Sequence, residues 1–184
     1  MEITMPVYSA YMGAFLIIVQ TALAASVGGY RGRNRKPIGD ADDEVLARRI
    51  RRHANMTEYA PIYIAVLALY ELMVGQTTTV LWMALLFAIA RMLHVIGFSS
   101  SAGSHLKDLT GNRRFFLLSR MVGAGLTLIL SFAIGVMLIL ALYALYIIFS
   151  TQGERSVYSY CCFFCRGRVS DTGLPGRLSP RGTR

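Results

Sequence analysis

Four apolar runs, residues 7–27, 59–74, 80–98 and 121–149, restrict what this chain can fold into more than any other feature. A helix needs about 20 mostly apolar residues to cross roughly 30 Å of hydrocarbon. The first, third and fourth runs meet that length, and the fourth is long enough to tilt or protrude. The second reaches it only by extending back through Glu58 and Asn55, which places a carboxylate and an amide inside a spanning helix. The composition agrees: 54% of residues are hydrophobic and only 16% charged, whereas about one quarter are charged in a soluble domain. The expected fold is an all-α membrane protein, a four-helix antiparallel bundle forming one domain over residues 1–150. Its helices are expected at about 6–28, 43–74, 78–98 and 116–149. No Lys or Arg precedes the first run, and it exceeds a signal-peptide core, so it is expected to be a retained helix.

The net charge of +9 is unevenly distributed. The loop after the first helix and the start of the second hold Arg31, Arg33, Arg35, Lys36, Arg48, Arg49, Arg51 and Arg52. The loop before the fourth holds Lys107, Arg113, Arg114 and Arg120. Residues 75–79, between the second and third helices, are uncharged. Two basic loops on one side and a neutral turn on the other predict cytoplasmic long loops and outward termini. Residues 151–184 carry further arginines and would favour the reverse, but early loops usually set orientation. That stretch is rich in Gly, Ser, Pro and Arg and reads as a disordered basic tail. Nucleic acid is not an expected partner, because basic flanks are common in membrane proteins. Cys161, Cys162 and Cys165 all fall in the tail without a partner His, short of the four ligands a zinc site takes; no metal is expected.

Chemistry is concentrated in Arg51-Arg52-His53-Ala54-Asn55-Met56-Thr57-Glu58-Tyr59-Ala60-Pro61. Helical steps of four and three stack Arg51, Asn55 and Glu58 on one face. In the third helix Arg91, His94 and Phe98 share a face in the same way. The topology puts both groups at similar depth, so the two faces can form one polar pocket near the cytoplasmic surface. Ionisable groups at membrane depth mark functional sites by default. Glu58 paired with Arg91 purely to hold two helices together is the competing reading. Glu71, near the far end of the second helix, reads as interfacial.

The string from Arg51 through Asn55, Glu58 and Tyr59 to Pro61, after one helix and a basic loop, resembles the MAPEG family, the membrane-associated proteins in eicosanoid and glutathione metabolism. The likeness continues through Ala90-Arg91-Met92-Leu93-His94-Val95-Ile96-Gly97-Phe98 and covers about residues 7–149. It is closest to bacterial-type members, which implies the cell inner membrane if the chain is bacterial. The resemblance implies a homotrimer in membrane lipid that binds glutathione, as co-substrate, between subunits. Arg51, Asn55, Glu58, Tyr59, Arg91 and His94 are its implied contacts, with Arg31 or Arg33 reaching in. A glutathione transferase-like reaction with a lipophilic small-molecule substrate is the implied activity. Eicosanoid-type members have tyrosines where this chain has His94 and Phe98, and their thiol-activating arginine aligns with His105. Arg113, Arg114 and Arg120 are the other candidates for that role. The alternative is a non-enzymatic or transport-related membrane protein with a structural Glu58/Arg91 pair.

Overall fold

The computed structural model describes residues 5–36, 38–39, 42–99 and 112–167, the last stretch as backbone alone at 112–113 and 152–167. It holds four helices: α1 (Val7–Asn34), α2 (Glu44–Val74), α3 (Thr78–Gly97) and α4 (Asn112–Gly167). All four contain a stretch long and apolar enough to cross a membrane. The chain divides into two compact units, residues 1–141 and 142–184. The first is the bundle. The second continues the α4 range, and its described side chains, 142–151, are all exposed.

Cross-helix contacts fix an antiparallel order. From α1 to α2, Ser9 meets Glu71, Gly13 faces Ile64 and Ser26 meets Arg49. From α2 to α3, Tyr63 donates to the Met83 carbonyl at 3.1 Å and stacks on Phe87, and Arg52 reaches Ser99. From α3 to α4, Gly97 abuts Arg120, Ala90 and His94 abut Gly123, and Arg91 meets Thr127. A Cβ on Gly123 would lie 2.6 Å from the His94 amide nitrogen, and one on Gly97 2.6 Å from that of Arg120. The α3–α4 crossing is therefore backbone against backbone, the close approach small residues permit in lipid. Met12, Leu16, Met56, Leu67, Phe87 and Ile134 fill the core. Phe132, Ile139 and Leu140 lie on α4 with most of their surface exposed, which suits a helix facing hydrocarbon and not water.

The ends of the helices follow local chemistry. Asp43 caps α2, accepting from the Val45 and Leu46 amides at 2.9 and 3.1 Å. Thr77 caps α3 by accepting from Val80, and Gly75, at φ +81°, turns the chain between α2 and α3. Pro6, at the start of α1, provides no side-chain cap. Glu71 of α2 supplies one, accepting from the Tyr8 and Ser9 amides at 2.9 Å each and from the Ser9 hydroxyl at 2.6 Å. Glu71 is wholly buried rather than interfacial, because it completes the first turn of another helix.

Two boundaries differ from expectation. Gly28 and Gly29 do not end α1, which runs to Asn34 and closes on Arg35 in the left-handed region. Both glycines face open space, and the turns on either side of them are tied to α2. Arg49 donates to the Ser26 carbonyl, while the Tyr30 hydroxyl donates to Asp43 at 3.0 Å. Likewise α4 passes the expected end at 149 and reaches Gly167; no proline interrupts that stretch. Residues 168–184 lie outside the described residues.

Candidate functional site

Burial sorts the predicted polar residues into an inner and an outer group. Arg91 projects from α3 into the bundle and is 1% exposed. Its Nη1 donates to the Thr127 hydroxyl at 3.3 Å, and that hydroxyl donates to the Gly123 carbonyl at 2.7 Å. Its guanidinium carbon lies 5.6 Å from the Tyr59 ring centre, within the range of a cation–π contact. Nε and Nη2 are buried with no hydrogen-bond partner. A cation placed in this way is unusual, since buried charges are normally paired and their donors satisfied.

His94, one turn further along α3, is 5% exposed and brings Nδ1 to 3.4 Å from the Arg120 carbonyl. A carbonyl only accepts, so this contact requires the Nδ1–H tautomer and leaves Nε2 as an acceptor. Nε2 is also buried and without a partner. Arg91 and His94 line a cavity of about 60 Å³ with Asn55, Tyr59, Thr127 and Leu128. That small space is bounded by α2, α3 and α4.

The outer group lies on α2. Arg51 and Glu58 are exposed, Tyr59 is 37% exposed, and Asn55 is half-buried with its amide donating to the Arg51 carbonyl at 3.4 Å. Glu58 does not line the Arg91 cavity. It lines a neighbouring one of about 210 Å³ with Tyr59, Ile62, Tyr63, Ser131 and Ile134. Tyr59 borders both, so they follow one another along the seam of α2 and α4.

The expected convergence of the two helices occurs for Asn55 with Arg91 and His94, Tyr59 joining them, but not for Arg51 or Glu58. Lys36 pairs with Asp43 and Arg48 with Glu44. No Glu58–Arg91 bridge forms, because Glu58 looks outward while Arg91 points inward to α4. Arg31 stands in the last turn of α1, a helix that contributes nothing to either cavity of the seam.

Of the four candidates for thiol activation, the side chains of Arg113 and His105 lie outside the described residues. Arg114 is exposed near the start of α4. Arg120 packs its guanidinium over the Phe98 ring at 4.2 Å and shares its carbonyl with His94, which puts it beside the inner group. Sequence periodicity finds Arg91 and His94 but misses Thr127, whose hydroxyl accepts from Arg91. A lone threonine in an apolar run carries no such signal.

The family model described as MAPEG family matches residues 9–147, well over half of the chain and all of the seam just described. No curated protein matches the chain.

Proposed function

The chain belongs to the MAPEG family, and from that premise we propose that it binds glutathione between neighbouring subunits of a homotrimer and activates its thiol towards a lipophilic electrophile. Membership and four membrane-crossing helices make it an integral, multi-pass membrane protein of the glutathione and eicosanoid metabolism family. The observation that carries the finer reading is Arg91, a cation held at membrane depth with two of its three nitrogens unused. Desolvating a cation is costly, and leaving its N–H groups unpaired adds to that cost. The arrangement is reasonable if a ligand supplies the oxygens.

Glutathione suits what the seam offers. Its two carboxylates match the forks of Arg51 and Arg91. Its glutamyl ammonium matches Glu58, which accepts no hydrogen bond from its own chain among the described residues. Tyr59 and Asn55 stand between these charges. The exposure of Arg51, Glu58 and Tyr59 in a single chain fits a site completed by a neighbour, and Arg31, on the far side of the same chain, is a residue that a neighbour can bring. Cations near the thiol favour the thiolate. Arg120 is the candidate nearest the inner group. On reaction the sulfur lone pair bonds to an electrophilic carbon of the second substrate, the bond from that carbon to its leaving group breaks with the electron pair going to that group, and the thiol proton passes to the leaving group or to water.

Arg91→Met tests the reading, with glutathione binding to detergent-purified protein followed by calorimetry and melting followed in parallel. A ligand-binding Arg91 predicts that glutathione binding falls at least tenfold while the apo protein melts at an equal or higher temperature, as replacing buried charge by a well-packed apolar side chain often does. Unchanged affinity with a lower melting temperature would make Arg91 a packing residue and remove the main support for the site.

A further inference from the structure

We propose that a second cleft, nearer the start of α2 than the glutathione seam, binds the phosphate group of an anionic ligand through Arg48, Arg49 and Arg52. The cleft holds about 110 Å³ and is lined by these three arginines with Val45, Phe98 and Ser99. That volume is on the order of three to four waters, enough for a tetrahedral phosphate but not for a whole lipid. It lies between the first turns of α2 and the last turn of α3, at the basic end of the bundle.

The arginines recur at steps of three and four, so they crowd one helix face, an arrangement that destabilises a helix standing alone. Arg48 has a counter-ion, Glu44 at 3.4 Å. Among the described residues, Arg49 and Arg52 have none. Arg49 is held by the Ser26 carbonyl at 3.1 Å and by the Tyr30 ring, 4.9 Å from its guanidinium carbon. Arg52 donates through Nη1 to the Ser99 hydroxyl at 3.2 Å, and its Nε is buried with no partner. Both side chains are thus positioned by neutral groups that cancel no charge. The end of α3 does not absorb it either, since the His94 and Ile96 carbonyls already accept from the Phe98 and Ser99 amides. Pre-oriented guanidinium forks without a carboxylate match the geometry of phosphate oxygens. Basic pockets between membrane helices at the headgroup level are where lipid phosphates bind. Arg51, the glutathione candidate, does not line this cleft.

The test uses the full chain purified in a neutral detergent. Binding of short-chain phosphatidylglycerol, phosphatidylcholine of equal chain length and inorganic phosphate is followed by native mass spectrometry and thermal shift. The wild type is expected to prefer phosphatidylglycerol to phosphatidylcholine about tenfold or more, the scale of one or two charge-assisted hydrogen bonds. Arg49→Gln with Arg52→Gln should abolish the preference, and Arg33→Gln, an exposed charge at the end of α1, should keep it. If inorganic phosphate displaces the lipid and itself raises the melting temperature, the source is free phosphate; if only the lipid binds, it is a headgroup. Either supports the site. Absence of preference in the wild type, or a preference undiminished in the double variant, overturns it. Should the double variant not fold, Arg49→Gln alone is read instead; an expected loss is roughly threefold or more, and no loss overturns the proposal.

Discussion

Glu58 and Glu71 lie on the same helix, and their surroundings assign them opposite tasks. Glu71 has no exposed surface and accepts three hydrogen bonds from the start of α1. It does for α1 what a capping side chain does in sequence, from 62 residues away. Hydrogen bonds to a charged group contribute about 1.5–3 kcal/mol each, less in sum than the parts suggest. Glu71→Ala would strand two amides and a hydroxyl in a buried place. It should lower stability by about 3 kcal/mol, read as an earlier midpoint in detergent-denaturation titrations, while Glu71→Gln should lose less, since its amide oxygen still accepts. Equal midpoints for Glu71→Ala and wild type would show that the cap is dispensable. Glu58, exposed on the seam, has no such structural role to lose, so its substitution is a probe of ligand rather than of fold.

The elements are joined by two devices of different strength. Where α3 crosses α4, Gly123 brings backbone against backbone, and a methyl there would meet the His94 nitrogen and the Ala90 carbonyl at 2.6 and 2.7 Å. Neither atom is a flexible side-chain end, so Gly123→Ala must push the helices apart, at about 1–3 kcal/mol. Gly125→Ala, two residues on and facing open space, should be neutral or stabilise by up to about 1 kcal/mol through helix propensity. Melting both variants side by side checks the crossing, and equal effects would refute it. At the α1–α2 corner, Asp43 accepts from the Leu46 amide, the Tyr30 hydroxyl and the Val45 amide and lies 3.7 Å from Lys36. These partners, the Leu46 amide foremost, hold its carboxyl below the usual aspartate range. A depressed folded pKa means the contribution is complete above the unfolded value near 3.9 and is lost as pH falls through the lower folded one. The difference in melting temperature between wild type and Asp43→Asn should therefore be constant above about pH 4.5 and shrink in stronger acid. A difference independent of pH down to about pH 2 would contradict that. Both devices show what a sequence can announce. Asp43 before an apolar-periodic stretch is a readable start signal, and the stacking of Arg91 with His94 follows from spacing alone. The Glu71 cap is not readable, because its partners are backbone amides of another helix. Gly28-Gly29 misleads for the same reason: tertiary ties at Ser26 and Tyr30 override a local stop signal. Glu58 and Arg91 share a depth, as topology requires, yet which way each points depends on the packing of α4, which periodicity on α2 and α3 does not contain.

At the scale of the whole molecule, the residues proposed to hold glutathione do not share one side of the chain. Asn55, Glu58 and Tyr59 of α2 and Arg91 of α3 line the seam cavities, while Arg51 and, at the end of α1, Arg31 line neither. A ring of three copies with head-to-tail contacts can bring the α1 end of one subunit to the seam of the next, and each site would then draw on two chains. Complementation tests this directly. Arg31→Gln and Glu58→Gln should each weaken glutathione binding, the latter by roughly ten- to hundredfold for one charge-assisted hydrogen bond. When the two variants are co-expressed in equal amounts, random assembly around the ring places an intact Glu58 seam beside an intact Arg31 in about one quarter of the sites. Calorimetry should then recover a class of sites with wild-type affinity and about a quarter of the full stoichiometry. Distinct tags on the two variants, read by native mass spectrometry, establish that mixed trimers have formed. Mixed trimers without recovered sites would mean that Arg31 and Glu58 do not serve one shared site. Recovery in a sample that stays monomeric would be impossible under this scheme, and monomers alone at micromolar protein would dismiss the trimer together with the shared site.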